Sequence, residues 1–324
     1  MVKVENLVKR YGHNYALNDI SFEIGEGEIV GLLGPNGAGK STTMNILTGY
    51  LSSTSGAAYI DGINILEHPI EAKSVIGFLP EQPPLYQDMT VEEYLNFVYD
   101  LKSCKLDKEQ HLSEILDVVK ITDVKNRLIK NLSKGYKQRV GIAQALIGDP
   151  KLIVFDEPTV GLDPKQILEI RNLLRTLAKN HTVILSTHIL AEVQAVCERV
   201  IIINQGKIIA DEKTAELTKV IEDGYQYEIK ICGPQREVTA ALEGVLGVKS
   251  VDATGVRDAD SYAYVVESEK GVDIRKPVFN LCAKKSWAIL GLTPVGTDLE
   301  SIFIRLVDRA NGIEAVKKPR RKVH

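Results

Sequence analysis

No stretch of the 324 residues stays apolar long enough to cross a membrane. Runs such as Leu152 to Phe155 and Val200 to Ile203 fall far short of the roughly 18 residues that a spanning helix needs. Cysteine is sparse and scattered: Cys104, Cys197, Cys232 and Cys282 lie far apart and form no C-x-x-C pair. That spacing argues against a disulfide framework or a zinc site and suits reduced thiols. A strong charge of one sign is missing too, since the formal net charge is −3; no global pull toward nucleic acid is expected, and no nucleic-acid partner. The opening Met1, Val2, Lys3 and Val4 lack the apolar core of a secretion signal. Internal repeats, low-complexity tracts and sustained heptads are absent as well. These absences point to a cytoplasmic chain whose membrane business would run through a partner. What remains is ordinary: 44% hydrophobic and 26% charged residues support a real core, and the length suits about two domains.

Against that plain background one stretch stands out. Gly34, Pro35, Asn36, Gly37, Ala38, Gly39, Lys40 and Ser41 match the G-x-x-x-x-G-K-[ST] phosphate loop in full. A short apolar run from Glu28 to Leu33 reads as the strand before it, and Ser41 to Thr48, starting with Thr42 beside the loop, reads as the helix after it. Glycines at 34, 37 and 39 free the backbone to turn successive N–H groups toward one point. The helix end adds a positive pole, Lys40 a charge for the β- and γ-phosphates, and the Ser41 hydroxyl a place for Mg²⁺. Leu152 to Phe155 then empties into Asp156 and Glu157, and an open α/β sheet does its chemistry at the carboxyl ends of its strands. Asp156 would hold Mg²⁺ and Glu157 would polarise an attacking water.

The remaining pattern can be read in order. Val2 to Val8 and Ala16 to Ile24 are expected as edge strands, and Ala57 to Ile65 as a hairpin turning at Asp61-Gly62. Thr90 and Glu93 form a capping box ahead of an amphipathic helix to Leu101, and His111 to Val119 is a second helix. Residues 83–135 therefore read as a helical subdomain inserted in an α/β core. Further strands follow at 152–155, 182–186 and 200–209. Beyond about Leu217 the order β-α-β-β-α-β is expected: strands at 225–231, 248–251, 262–266 and 287–292, with helices at 236–245 and 272–283. A last helix at 299–307 precedes a basic tail, Lys317 to Lys322. The tail is either a solvated end or a contact for anionic lipid.

With these motifs in place, residues 1 to about 215 resemble the nucleotide-binding subunits of ABC transporters. The resemblance implies an ABC-type P-loop ATPase core of α/β class with a helical subdomain (1–216), a small ferredoxin-like α+β accessory domain (217–309) and the tail (310–324). It implies ATP and Mg²⁺ as ligands and assigns further residues by position. Tyr11 stands where an aromatic stacks on adenine. Leu132, Ser133, Lys134, Gly135 and Tyr136 replace the usual Leu-Ser-Gly-Gly-Gln signature, which acts on the partner subunit's ATP. Asp163, in Gly161 to Pro164, belongs to the dimer-contact loop, and His188 is the switch histidine. Glu81 stands where the lid glutamine is usual, with Gln82 one residue on, and either one would complete the Mg²⁺ ligands with Ser41 and Asp156. The Leu79-Pro80-Glu81 form, the signature variant and the run Asp298 to Phe303 are similar to one bacterial branch of exporters with separate permeases. Partners implied are a transmembrane permease and a second ATPase subunit, with ATP-driven dimerisation at the cytoplasmic face of the membrane. A soluble regulatory ATPase of the same family is the alternative, although such proteins carry two cassettes or long coiled coils.

Overall fold

The computed structural model describes residues 1–217, 226–258, 261–269, 271–295 and 299–311. The basic tail lies outside them, as do Tyr225 and Asp298. The chain divides into two units, Met1–Thr214 and a second from Ala215 onward.

The first unit is built on two sheets. One holds β1 (Val2–Tyr11), β2 (Asn14–Ile24), β4 (Ser55–Ile60) and β5 (Ile63–Asn64) in the order β2-β1-β4-β5. β1 was expected at an edge, but it lies inside the sheet because β4 pairs along its other side, Val2 opposite Ile60 and Val4 opposite Ala58. That partner is more than fifty residues away, so no local pattern announces it. β4 and β5 meet at Asp61-Gly62, with φ of 52° and 78°, the positive pair that a two-residue hairpin turn requires.

The second sheet runs β10-β9-β3-β8-β7-β6. Its strands are β3 (Ile29–Leu33), β6 (Ile76–Leu79), β7 (Leu152–Asp156), β8 (Thr182–Thr187), β9 (Arg199–Asn204) and β10 (Lys207–Lys213). Only the β9–β10 pair is antiparallel; the others run parallel. Val30, Leu32, Val154, Ile184 and Ile201 join Met44 and Leu47 of helix α1 (Lys40–Leu47) and the inner residues of the first sheet in one core. Their alternates Ile153, Phe155, Val183, Leu185 and Ile202 are buried as well. Burial on both faces is why these strands read as unbroken apolar runs.

After α2 (Pro69–Ser74) and β6 come α3 (Val91–Leu101) and α4 (Lys108–Val119). Thr90 and Glu93 make the capping box in both directions. α4 starts three residues earlier than its apolar pattern, because the Asp107 side chain accepts from the Gln110 N–H and caps it there. Two short 3₁₀ turns lead to α5 (Lys134–Leu146), and α6 (Pro164–Leu177) and α7 (Leu190–Val196) connect the strands that follow.

The second unit has a four-stranded sheet, β12-β13-β11-β14, from Gln226–Cys232 (β11), Val248–Asp258 (β12), Ser261–Ser268 (β13) and Ile289–Val295 (β14). Helices at Gln235–Glu243 and Arg275–Lys284 give the order β-α-β-β-α-β. Ile229, Ile231, Val238, Leu242, Val266 and Val278 form its core. The second of those helices starts at Arg275 rather than Val272, where the Asp273 carboxylate accepts from the Arg275 N–H. A final helix spans Leu299–Ala310. Among the described residues, no helix is long and apolar enough to cross a membrane.

Candidate functional site

Four adjacent parallel strands deliver the chemistry to one edge. Leu33 at the end of β3 pairs with Thr187 of β8, Ser186 pairs with Asp156 of β7, and Phe155 pairs with Leu79 of β6. The phosphate loop, His188, the Asp156-Glu157 pair and the Glu81-Gln82 segment therefore all leave the sheet from neighbouring carboxyl ends, the place where such sheets bind ligand.

The phosphate loop is pinned from below. Gly37 and Gly39 take φ of 78° and 115°, left-handed angles that only glycine adopts without strain. Gly34 does not; its lack of a side chain serves a close approach instead, since a Cβ there would lie 2.2 Å from the Ile203 carbonyl oxygen. The β9–β10 hairpin holds the loop from that side, with the Gly206 N–H donating to the Ala38 carbonyl at 2.9 Å. Gly39 caps α1 without a side-chain bond and no acid stands in the first turn, so the positive end of the helix is open to an anion. Gly34→Ala is expected to cost about 1–3 kcal/mol, because the loop must move off the hairpin to admit the methyl. Thermal unfolding checks this, and an unchanged midpoint would mean that the loop yields freely.

Lys40 is buried, and its Nζ donates to the carbonyls of Gly34 at 2.8 Å and Pro35 at 3.3 Å. It lies 4.0 Å from Glu157 Oε1. Burial lowers its pKa from the ordinary lysine value, and the charges of Glu157 and Asp156 oppose that shift. Glu157 is itself buried and sits at φ 50°, a strained angle for a non-glycine residue. Its N–H donates to the Ser186 carbonyl at 3.0 Å, and its carboxylate meets His188 Nδ1 at 2.9 Å. The His188 side chain is 45% exposed, and with Nδ1 turned to Glu157 its Nε2 is left for a ligand.

Asp156 Oδ1 is buried and has no hydrogen-bond partner among the described residues. Such an orphaned carboxylate oxygen fits a cation better than it fits empty space. The described residues hold no cluster of three or more His, Cys, Asp or Glu side chains suited to a metal. A single carboxylate of this kind would suit Mg²⁺, which takes few protein ligands and completes its shell with phosphate oxygens and water. Ser41 is exposed at the head of α1, and Glu81 and Gln82 are both exposed just past β6. Thr42 is half-buried, while the Thr43 hydroxyl donates back to the Gly39 carbonyl. Tyr11, at the far end of β1, is 54% exposed, and Lys9 Nζ lies 5.2 Å from its ring centre.

The signature segment packs elsewhere. Ser133 is the N-cap of α5, so the helix begins at Lys134 and Gly135 lies inside its first turn rather than before it. Leu132 is buried ahead of the cap. A Cβ on Gly135 would lie 2.7 Å from the Gln166 amide, and one on Gly161 would lie 2.0 Å from Lys134 Nζ. Signature and dimer-contact loop are thus in direct contact within one chain, with Lys134 lying over Gly161. Asp163 and Gln166 form a capping box at the start of α6. The Tyr136 hydroxyl donates to Asp123 at 3.0 Å, and this bond raises the phenol's pKa. Sequence reasoning missed Gln166 as the packing partner of Gly135, and it missed the buried Glu192 behind His188. The capping-box spacing at Asp163 was a signal for the first; Glu192 had none.

The sequence matches the ABC transporter family over residues 17–160. An uncharacterized ABC transporter ATP-binding protein of Bacillus subtilis, YxlF, is 39% identical over 308 residues, 95% of this chain and 99% of the relative. The bacitracin transport ATP-binding protein BcrA of Bacillus licheniformis is 37% identical over 65% of this chain and 69% of its own. The linearmycin resistance ATP-binding protein LnrL of Bacillus subtilis is 32% identical over 95% of this chain and 99% of its own. A solved dimer of an ATP-binding cassette in a post-hydrolysis state, bound to ADP and Pi, superposes with a TM-score of 0.60. It is 32% identical over 66% of this chain and 98% of that one. The phosphate loop of the present chain opens onto a buried lysine, two acids and a histidine, and YxlF and LnrL match it over nearly its full length; the chain belongs to the ATP-binding proteins of ABC transporters and is the ATP-hydrolysing subunit of one.

Proposed function

We propose that this subunit powers export through a separate membrane permease, with Glu157 as the base that polarises the attacking water. The observation that carries the base assignment is the contact of Glu157 with both Lys40 and His188 at the carboxyl edge of the sheet. Lys40, the loop N–H groups from Gly34 to Ser41 and Thr42 grip the phosphates, and His188 Nε2 meets the γ-phosphate. Mg²⁺, held by Ser41, Asp156 and either Glu81 or Gln82, would neutralise developing charge on the phosphates. Tyr11 stacks on adenine. Ser133 and the start of α5 act on the nucleotide of a second subunit, with Asp163 at the contact, so ATP joins two copies head to tail. The relatives' names speak of bacitracin transport and linearmycin resistance, and a transporter confers resistance by removing its cargo. Contact of the basic tail with anionic lipid at the cytoplasmic face belongs to the same proposal.

The permease is proposed to dock on α3. That helix buries Val91, Tyr94, Leu95 and Val98 but leaves Phe97 and Leu101 exposed. Exposed Tyr86 stacks beside Phe97, with ring centres 5.3 Å apart. An aromatic pair in water next to the lid segment supports a protein contact. Tyr86→Ser with Phe97→Ser is expected to shift the protein from the membrane fraction to the supernatant of its native cells. ATPase activity of the purified subunit should stay within about twofold, since neither ring touches the phosphate site. Retention in the membrane fraction would remove α3 from the docking surface.

A further inference from the structure

A carboxylate that none of these steps uses sits directly behind them. Glu192, in α7, is 1% exposed, and a buried glutamate survives only if its charge is satisfied. Both oxygens are taken. Oε1 accepts from the Thr159 hydroxyl, and Oε2 accepts from the Thr187 hydroxyl at 2.8 Å. Thr187 Oγ1 in turn accepts from the Ile189 N–H at 3.0 Å, across His188. Thr159 is two residues past Glu157, in a turn where the Val160 N–H returns to the Glu157 carbonyl at 3.2 Å. Thr187 is the residue immediately before His188.

We propose that Glu192 is a positioning residue for hydrolysis, clamping the Glu157 turn and the His188 strand end to one carboxylate so that base and histidine stay in register. Four features support this. Glu157 and His188 leave neighbouring strands, tied at this edge by the Glu157 N–H to the Ser186 carbonyl, a backbone bond that leaves their 2.9 Å side-chain contact to be held by the groups behind it. Glu157 holds a strained φ of 50°, and strain persists only where surroundings over-determine it. Threonine is stiff about its first side-chain bond, so holding its hydroxyl holds its backbone. Finally, hydrogen bonds to a buried charge are the strong kind. The inference rests on Glu157 and His188 acting in hydrolysis as proposed above.

The test measures steady-state ATPase kinetics and binding of a non-hydrolysable ATP analogue for the full chain carrying Glu192→Ala, Thr159→Val or Thr159→Ser. Misplacing a catalytic group by about 1 Å can cost on the order of 100-fold in rate, so Glu192→Ala is expected to lower kcat by about 30- to 100-fold. Analogue affinity should stay within about threefold, because the phosphate loop is untouched. Thr159→Val should lower kcat by about tenfold, and Thr159→Ser, which keeps the hydroxyl, should restore it. Combined with Glu157→Gln, Glu192→Ala should cost under about twofold more, because residues acting as one unit are not additive. A folded Glu192→Ala at the wild-type rate, a full additive loss in the Glu157→Gln background, or analogue binding falling in step with kcat would overturn the proposal. If Glu192→Ala does not fold, the Thr159→Val and Thr159→Ser pair decides alone, and equal rates for the two refute the clamp. Wild-type turnover by Glu157→Gln alone would instead bring down the site assignment beneath it, a separate and readable failure.

Discussion

Glu157→Gln is expected to bind ATP, assemble into a dimer and turn over about 10²- to 10⁴-fold more slowly than the wild type, the span that a positioned general base contributes. The amide keeps the shape of the carboxylate, so the neighbours at Lys40 Nζ and His188 Nδ1 keep something to pack and bond against. What is lost is the ability to take a proton from water. Removing a negative charge 4.0 Å from Lys40 also removes repulsion toward the incoming phosphates, so nucleotide affinity should hold or improve. Light scattering with and without Mg-ATP reads the outcome. A dimer that appears only with ATP, together with the loss of rate, fits hydrolysis as the step that releases the two subunits, since a ligand shared between them stabilises the assembled form by mass action. Turnover at the wild-type rate would sink the assignment of Glu157 as base. A slow enzyme that stays monomeric would keep that assignment and place the weakness in the signature, where Lys134 leans over Gly161 of its own chain.

Much of this was legible in the sequence, because the informative residues are those whose backbone or chemistry admits few alternatives. The phosphate loop, the apolar strands that flank it and the acids at 156 and 157 follow from local pattern, since a strand buried on both faces has to be apolar throughout. The capping box at Thr90 and Glu93 was likewise visible and fixed the start of α3 to the residue. What escaped was what depends on distant partners. β1 pairs on both sides because β4 returns to it, and no alternation within β1 can say so. Gly34 is a glycine because Ile203 arrives from the far end of the unit, not because its own φ demands it. Glu192 looks from its spacing like an ordinary surface position on a short helix, and only the fold turns it inward to Thr159 and Thr187. Each miss is a case of long-range packing overriding a local reading.

Lys40→Ala should weaken ATP binding itself, in contrast to Glu157→Gln. Hydrogen bonds to charged groups contribute about 1.5–3 kcal/mol, so the loss of Lys40 should raise the ATP dissociation constant by roughly 10- to 100-fold, with turnover at subsaturating ATP falling in step. Three effects point the same way. The ammonium no longer reaches the phosphates. Asp156 and Glu157, which now share its charge, are left to repel them. The Nζ bonds to the Gly34 and Pro35 carbonyls, which tie the lysine to the start of the loop, are gone as well. Lys40→Met separates the last effect from the other two, since it fills the buried space without the charge or the bonds. Equal losses for Ala and Met would put the whole effect on charge and bonding, and a smaller loss for Met would measure how far the stem props the loop. A saturable nucleotide titration with wild-type affinity in both variants would refute the role of Lys40 in phosphate binding. Burial disfavours the charged form of Lys40, and a bound phosphate would favour it.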